Sequence, residues 1–308
     1  MNREQTWIIT KDGETLLLYK WYEKDTTPIA LVQIAHGMAE HMGRYEEFAR
    51  FLVEQQIFVF GNDHRGHGKT GERKGPHGFF AVENGFERVT DDLHTVTQMI
   101  RKQYPETPLF LLGHSMGSFL VRRYIQKYHE PLAGVILSGT AGDPGTLGAA
   151  GIWLARREKK KRGATVKSSL LNNLIFGSYN RKIKNPETVF DWLSRDEKTV
   201  QEYMADPLCG FICTTSFYED LLTGLRLIHR SEELTKTPKN LPIFIFSGTE
   251  DPVGNYGKGV EEVIGLYKKH GNPVTGKLYP GGRHEMLNEI NRYEVYTDVL
   301  EWIRKQSG

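Results

Sequence analysis

The most constraining feature of the sequence is a Gly-x-Ser-x-Gly pentapeptide at 113–117. A strand-length apolar run (108–112) precedes it, and a stretch with helical periodicity (118–124) follows it. Glycines two residues on either side of Ser115 remove side chains that would clash in a sharp turn from strand to helix. Alone, the pattern also fits a tight glycine-rich turn. The strand before it and the helix after it favour a nucleophilic serine exposed at the helix N-terminus.

Strand-length apolar runs alternate with helical segments along most of the chain. The strand-length runs are 15–22, 29–35, 57–62, 109–113, 134–138, 243–247 and 275–279. The segments with helical periodicity are 44–55, 85–104, 116–128, 255–270 and 287–305. This alternation predicts an α/β fold, with a mostly parallel sheet and helices on both of its faces. The turn residues Lys11, Asp12 and Gly13 indicate a hairpin, so we expect the sheet to open with antiparallel strands.

The alternation stops between Ala141 and about Pro238, where helical patterns continue without a convincing buried strand. We interpret residues 141–238 as a helical cap inserted into the fold. Residues 1–140 and 239–308 are then expected to form one α/β core, so the two predicted domains are not modules in series.

Ser115 needs a base and an acid, because a serine hydroxyl is a poor nucleophile at neutral pH. Asp251 lies in the turn after the run 243–247, and His284 lies in the loop after the last strand-length run. Functional groups gather at the carboxyl ends of parallel strands, and the chain order Ser, Asp, His is typical of one α/β architecture. We therefore predict Ser115 as nucleophile, His284 as base and Asp251 as acid. Glu250 adjoins Asp251 and is the main competitor for the acid role.

The turn that contains His36 and Gly37 follows the run 29–35 and lies at the same predicted edge of the sheet. Acyl transfer passes through a tetrahedral oxyanion, which backbone N–H groups can stabilise by about 3 to 4 kcal/mol per donor. The amides of Met38 and Met116 are the expected donors. An ordinary strand-end turn is the simpler interpretation of His36 and Gly37 taken alone.

Composition excludes several classes of protein. The 308 residues include 40 Lys and Arg against 38 Asp and Glu, a net charge of +2 that does not suit a nucleic-acid binder. Two cysteines, Cys209 and Cys213, lie four apart in a helix-compatible stretch and are too few for a disulfide framework or a cysteine-based zinc site. We expect a cytoplasmic protein, because neither a secretory signal nor an apolar run of membrane-spanning length is visible.

The segment from Asp63 to Thr70 ends in Gly-Lys-Thr, which suggests a phosphate-binding loop. That interpretation fails because Asp63 occupies the position of the first glycine. His64 and His67 have no partner at a recognised zinc spacing, so we predict no metal ion.

A set of motifs, taken together, resembles the monoacylglycerol lipase and lysophospholipase branch of the α/β-hydrolase superfamily. The motifs are His36-Gly37-Met38-Ala39-Glu40-His41, Asp63-His64-Arg65-Gly66-His67-Gly68, Gly113-His114-Ser115-Met116-Gly117, Asp206-Pro207-Leu208 and Arg283-His284-Glu285-Met286-Leu287-Asn288-Glu289. They occur in the order of that branch and cover almost the whole chain. Two positions depart from it: Ser118 stands where glycine is usual, and Met38 stands where a smaller residue is common.

The resemblance implies an eight-stranded, mostly parallel sheet with a helical cap inserted after the sixth core strand. It also implies a serine esterase or lipase that uses Ser115, Asp251 and His284, requires no cofactor and acts on small lipid or ester substrates. A proline-iminopeptidase-like peptidase shares the fold and the three residues. A binding protein that retains the fold without turnover is a second alternative.

The predicted cap contains six basic residues and one acidic residue at 156–162, directly after an apolar stretch at 147–155. Such a segment could rest on an anionic bilayer. A cap helix with a solvated charged end is the simpler interpretation, because runs of charge usually face solvent. The oligomeric state is left open by the sequence.

Overall fold

A computed structural model of the chain describes residues 1–307. Its centre is one eight-stranded sheet with the strand order β1-β2-β4-β3-β5-β6-β7-β8. The strands are β1 (Asn2–Ile9), β2 (Thr15–Tyr22), β3 (Ala30–Ala35), β4 (Ile57–Asn62), β5 (Leu109–His114), β6 (Gly134–Ser138), β7 (Ile243–Gly248) and β8 (Val274–Tyr279). β2 pairs antiparallel with β1 and β4, and the other pairs are parallel. The predicted antiparallel opening of the sheet is confirmed.

Eleven α-helices are present in residues 1–307. They are α1 (Glu46–Val53), α2 (Gly68–Arg73), α3 (Gly85–Gln103), α4 (Met116–Lys127), α5 (Gly145–Arg162), α6 (Ser169–Phe176), α7 (Glu197–Ala205), α8 (Thr215–Leu227), α9 (Ser231–Leu234), α10 (Lys258–His270) and α11 (Arg292–Ser307). Side chains of α1 and α11 pack in one cluster on one face of the sheet, and those of α3, α4 and α10 pack on the other. The predicted α/β class, with helices on both faces, is confirmed.

The central strands form because their side chains are apolar on both sides. In β5, Phe110 and Leu112 point into the cluster with α1 and α11, while Leu111 points into the cluster with α4. Successive strand residues alternate between the two faces of a sheet, so both faces of this strand are covered. A continuous apolar run is therefore the expected sequence of such a strand.

β1 is absent from the predicted strand-length runs, and its burial explains why. Seven of its eight residues are exposed, since it lies at the edge of the sheet and pairs only with β2. Its sequence is mostly polar, so it lacks the apolar signal of a buried strand. The hairpin turn at Gly13, where φ is +81°, is the local signal that this strand precedes β2.

Between β6 and β7 the chain is helical, as predicted. The five helices α5 to α9 lie in this stretch, and α8 packs against α3 and α4 of the remaining structure. We call residues 141–238 the cap segment, and its status as a separate domain stays a prediction. The helix-compatible reading of the two cysteines is wrong, since Cys209 and Cys213 are free, buried and placed in the non-helical connection between α7 and α8.

No helix in residues 1–307 combines the length and the apolar character needed to cross a bilayer.

Candidate active site

Ser115 lies at a strained turn between β5 and α4. Its φ of 53° and ψ of −121° are unusual for a non-glycine residue, and such strain persists only where the surroundings enforce it. A Cβ on Gly113 would stand 2.4 Å from the Gly117 carbonyl oxygen, and one on Gly117 would stand 1.9 Å from the Ala35 carbonyl oxygen. Both glycines are therefore required, and they hold the serine at the N-terminus of α4 as the pentapeptide predicts.

Ser118 is accommodated inside this turn. It is fully buried, and its Oγ donates a hydrogen bond to the Ser115 carbonyl oxygen at 2.6 Å. The Ser115 N–H in turn donates to the Ser138 carbonyl oxygen at 2.9 Å. The departure at position 118 therefore leaves the turn intact.

His284 and Asp251 form a buried hydrogen-bonded pair beyond the ends of β8 and β7. The His284 Nδ1 atom lies 3.0 Å from Asp251 Oδ1. Because an ionised carboxylate can only accept a hydrogen bond, the neutral ring carries its proton on Nδ1, and Nε2 has none. Glu250 is exposed and its backbone N–H donates to Gly282. The structure thus brings Asp251, and not Glu250, against His284.

Two further donors hold the Asp251 carboxylate. Ser247 Oγ donates to Oδ2 at 2.6 Å, and the Val253 N–H donates to Oδ1 at 2.9 Å. Burial alone would raise the pKa of Asp251, but the charge and hydrogen bond of His284, together with these donors, hold this pKa below its usual value. Asp251 is therefore ionised at neutral pH.

The His284 ring is enclosed by neighbours from several elements. The Trp192 ring of the cap segment lies 5.1 Å from the imidazole, centroid to centroid. The backbone N–H of His284 donates to the Trp192 carbonyl oxygen. A Cβ on Gly139, where φ is +59°, would come within 2.9 Å of the imidazole, so only glycine fits there. Burial lowers the pKa of His284, but Asp251 outweighs burial and raises it above its usual value.

The amides of Met38 and Met116 are free to bind an oxyanion. Neither donates to a protein acceptor within residues 1–307, and both residues line the same cavity as Ser115. Met38 precedes Ala39, which takes the left-handed conformation at a φ of 53°. The Ala39 carbonyl oxygen accepts hydrogen bonds from the cap segment, from Tyr203 Oη at 2.9 Å and the Gly210 N–H at 3.0 Å. The cap segment therefore helps to fix this loop.

A charged bridge connects the Met38 loop to the His284 loop. Arg44 donates to Glu40 Oε2 at 2.7 Å and to both carboxylate oxygens of Glu285 at 2.7 and 2.6 Å. Glu40 Oε1 also accepts from the Gly37 N–H at 2.5 Å and from Tyr45 Oη at 2.8 Å. Glu40 and Arg44 thus form an i,i+4 pair, and Glu285 extends it across the site.

Four buried histidines, His36, His64, His67 and His114, lie close to the candidate site. His36 and His64 lie 4.0 Å apart between ring centroids, and the His64 N–H donates to His36 Nε2. Burial lowers the pKa of His64 to about 3 and that of His67 to about 4. His114, beside His284, has its pKa lowered to about 4 by the same cause. These rings are therefore uncharged at neutral pH.

One group of side chains could offer ligand atoms to a metal ion. Atoms of His41, Asp206 and Cys209 lie within 4.8 Å of one another. His41 Nδ1 accepts the Gly43 N–H, so Nε2 carries the proton that it donates to Asp206 at 2.8 Å. Burial raises the pKa of the Cys209 thiol, which opposes the thiolate form that binds metals. The group fits a hydrogen-bonded contact between the Met38 loop and the cap segment better than a metal site.

The candidate site opens into a cavity of about 690 Å³ between the sheet edge and the cap segment. Apolar side chains that line it include Met38, Phe119, Ile175, Phe176, Val189, Phe190, Trp192, Leu193, Leu221, Leu222, Leu225 and Val253. Most of these belong to the cap segment. The cavity is therefore suited to an apolar group held next to Ser115.

Of the five residues predicted from the sequence, Ser115, His284, Met38 and Met116 line this cavity, and Asp251 reaches it through His284. Ser247, Glu285 and the bridging role of Arg44 are not among the predicted site residues. A serine at the end of the apolar run of β7 is the available signal for Ser247. For Glu285, the signal is an acidic residue directly after His284.

Comparisons with known proteins agree with this geometry. The family described as "Serine aminopeptidase, S33" matches residues 26–291. The monoglyceride lipase of Homo sapiens is 29% identical over 98% of this chain and 90% of its own length. The monoacylglycerol lipase of Mycolicibacterium smegmatis is 28% identical over 94% of each. A thermostable carboxyl esterase from Bacillus coagulans, solved in complex with glycerol, superimposes with a TM-score of 0.93 over the full length of both chains at 28% identity.

These relatives confirm the predicted class, a carboxylic ester hydrolase with the α/β-hydrolase fold. The family model covers most of the strands of the sheet and the whole cap segment. The chain therefore belongs to the serine aminopeptidase S33 family of α/β-hydrolases.

Proposed function

We propose that this enzyme hydrolyses monoacylglycerols or lysophospholipids through a Ser115, His284 and Asp251 acyl-enzyme mechanism. One observation carries the proposal: Ser115, on its strained turn, lines the same apolar cavity as His284, and His284 is hydrogen-bonded to the buried Asp251. The monoglyceride and monoacylglycerol lipases among its relatives support the substrate class.

In the first half-reaction, Ser115 Oγ attacks the ester carbonyl and His284 Nε2 takes its proton. Asp251 fixes the ring tautomer and stabilises the imidazolium that forms. The amides of Met38 and Met116 donate to the oxyanion of the tetrahedral intermediate. The intermediate collapses as His284 returns the proton to the leaving alcohol, which departs and leaves Ser115 acylated.

In the second half-reaction, water replaces the alcohol beside His284. His284 removes a proton from the water as it attacks the acyl carbonyl, and the same two amides again hold the oxyanion. Transfer of the proton back to Ser115 Oγ releases the carboxylic acid and restores the enzyme. The Met38 loop and the His284 loop thus act on one carbonyl group.

The apolar lining supports a long acyl chain as the substrate group in the cavity. Ile175, Phe176 and three leucines of α8 line it from the cap segment, namely Leu221, Leu222 and Leu225. Each methylene transferred from water to such a surface contributes about 0.8 kcal/mol of binding free energy. A chain of many methylenes therefore gains more from this cavity than an aminoacyl group does.

A proline-iminopeptidase-like activity is the second candidate, and the printed description of the matched family as a serine aminopeptidase favours testing it. A binding protein without turnover is the third. The arrangement of Ser115, His284 and Asp251 supports turnover over binding alone.

We further propose that the cap segment contacts a lipid surface. Exposed large apolar side chains lie on α5 and α6 and beside the cavity, namely Leu147, Trp153, Leu170, Leu174 and Val189. Of the basic residues at 156–162, Arg156 and Lys159 pair with Glu219, and Arg162 pairs with Glu158. Arg157, Lys160 and Lys161 remain available to anionic lipid. The predicted cytoplasmic location stays a prediction.

The test of the catalytic proposal is labelling by a fluorophosphonate probe followed by an ester panel. We expect the wild-type enzyme to be labelled and Ser115→Ala to remain unlabelled. We expect monoacylglycerols to be hydrolysed faster than aminoacyl arylamides. Equal labelling of both proteins would exclude Ser115 as the nucleophile, and faster cleavage of arylamides would favour the peptidase.

A further inference from the structure

The cavity carries acidic side chains without basic ones. Four carboxylates line it, those of Glu40, Asp143, Glu262 and Glu285, and within residues 1–307 no lysine or arginine is among its lining residues. Asp143 and Glu262 are exposed at its edge, where solvent and salt screen their charge. Glu40 and Glu285 are 2% and 4% exposed, so their charges act through protein rather than through water.

The two buried carboxylates share a single cation. Arg44 contacts both, with distances of 2.6 to 2.7 Å between nitrogen and oxygen atoms. With both carboxylates ionised, the group of three carries a net charge of −1. Burial raises the pKa of Glu285, but Arg44 outweighs burial and lowers this pKa to about 2. Glu285 is therefore ionised throughout the working range of a serine hydrolase.

The neighbouring histidines do not offset this charge. Burial is the first cause that holds the pKa of His36, His64 and His114 below its usual value. His284 acts as a base and is neutral when substrate binds. The negative charge beside the site is thus uncompensated in the form of the enzyme that reacts.

The position of this charge points to the leaving group. The alcohol oxygen must lie beside His284 to receive its proton, and Glu285 directly follows His284. Glu40 Oε1 lies 2.8 Å, and Ser115 Cβ 3.3 Å, from the point where a Cβ on Gly37 would stand. The charged bridge therefore borders the reacting atoms on the side of the Met38 loop and the His284 loop.

We propose that Glu285, with Glu40, makes the site select against esters whose alcohol group is anionic, so that neutral or cationic alcohol groups are the ones accepted. This inference rests on the proposed function and narrows its two substrate classes: a neutral glycerol ester is favoured over a glycerol ester whose phosphate leaves it with a net negative charge. The same charge speeds departure of the product, because the released fatty acid is itself an anion.

The first experiment uses the wild-type enzyme and two substrates with the same acyl chain. 1-Octanoylglycerol and 1-octanoylglycerol 3-phosphate are compared by octanoate release at low salt and at pH 8. One buried unit charge near the reacting atoms predicts a kcat/KM for the neutral ester that is at least about tenfold higher. Comparable kcat/KM values would overturn the inference while leaving the proposed esterase function intact. Failure to hydrolyse either ester would instead contradict the proposed function.

The second experiment assigns the effect to Glu285. Glu285→Gln removes one charge and retains the shape of the side chain, so the ratio of the two kcat/KM values should fall by about tenfold. Damage to the site that slows both substrates equally cancels in this ratio. Glu250→Gln is the matched control, because Glu250 is exposed and lies outside the cavity lining. An unchanged ratio in Glu285→Gln, or an equal change in Glu250→Gln, would contradict the assignment.

A third measurement keeps the inference testable if Glu285→Gln does not fold. Octanoate and octanamide are compared as inhibitors of the wild-type enzyme, since they differ in charge but little in size. We expect octanamide to inhibit at about tenfold lower concentration. Equal inhibition would show that the cavity does not discriminate against anions.

Discussion

The core and the cap segment treat apolar surface in opposite ways. In β5, β6 and β7 every residue is buried, and the proposed reactive groups lie where these strands and their neighbours end. On α5 and α6, by contrast, Leu147 is 83% exposed, Trp153 62% and Leu174 59%. Close packing holds side chains of the core in place, whereas apolar side chains of the cap segment remain available to substrate or lipid. The chemical step and recognition of the acyl chain are thus expected to depend on different parts of one chain.

Several contacts between the two parts lie directly beside the candidate site. Trp192 packs on His284, and Tyr203 and Gly210 bind the Ala39 carbonyl oxygen. Both loops that carry predicted catalytic groups are therefore touched by the cap segment. Changes beside Ser115 should alter the rate of the chemical step, and changes in the cap segment should alter which acyl chains are accepted.

The largest expected effect separates chemistry from binding. Ser115→Ala should lower kcat for ester hydrolysis by about 10⁶-fold, because the proposed nucleophile is lost while the cavity remains. Octanamide should still bind with wild-type affinity, measured by calorimetry, because the apolar lining is unchanged. Residual activity above about 1% of wild type would show that another residue attacks the ester. Loss of octanamide binding would show that the two parts are not separable.

The next effect concerns the hydroxyl that holds Asp251. Ser247→Ala leaves a buried carboxylate oxygen without its donor, and a hydrogen bond to a charged group contributes about 2 kcal/mol, or about thirtyfold in kcat. KM for a short ester should change little. Ser247→Thr retains the hydroxyl and is the matched control, expected to restore most of the rate.

The pH profile distinguishes this positioning role from general damage. Activity requires neutral His284, so kcat/KM falls as pH drops through the pKa of His284, which lies above its usual value. Without Ser247, Asp251 holds the imidazolium proton more strongly, so the acid limb should move to higher pH. An unchanged acid limb together with a lower rate would mean that Ser247 only supports the local structure.

Much of the core was accessible from the sequence because burial leaves a simple signal. Runs such as 243–247 are continuous and apolar, since both faces of the central sheet are covered. β1 lacked that signal at the exposed edge. In the cap segment, the presence of helices could be predicted, but not which of their apolar residues face the cavity and which face solvent. On the short helix α6, the exposed Leu174 directly precedes Ile175 and Phe176, which line the cavity.

The candidate site divides in the same way. Ser115, Asp251 and His284 could be predicted because each follows a recognisable strand. The bridge of Arg44 and Glu285 could not, since these residues are 241 positions apart and meet only when two loops approach across the site. Ser247 depends on the direction in which one strand-end side chain points. Interactions of this kind follow from three-dimensional placement, which residue types alone do not fix.

A tenfold effect is expected when the cavity is filled from the cap side. Leu222 of α8 is half-buried and lines the cavity, so Leu222→Trp should exclude a few methylenes of a long acyl chain. At about 0.8 kcal/mol per methylene, kcat/KM for a hexadecanoyl ester should fall at least about tenfold. A butanoyl ester should stay within about twofold. Leu227→Trp, on the same helix but outside the lining, is the control. Equal losses for both esters would place Leu222 at the chemistry rather than at the acyl chain.

The smallest effect tests whether the exposed face of the cap segment meets lipid. Lys160 is exposed and has no ion-pair partner within residues 1–307, and a basic residue near an anionic bilayer contributes about 1 kcal/mol. Lys160→Ala should therefore weaken binding to phosphatidylserine-containing vesicles about fivefold at low salt, measured by co-sedimentation. The difference should disappear at 1 M salt, where charges more than about 3 Å apart are largely screened from each other. Lys268→Ala, at the exposed end of α10, is the matched control and should bind as wild type does.

If both variants lose the same affinity, attraction is a property of overall charge and the cap segment has no special role. If the wild-type protein does not sediment with anionic vesicles at all, the basic end of α5 is only a solvated helix terminus, and the exposed apolar residues of α5 and α6 do not bind lipid.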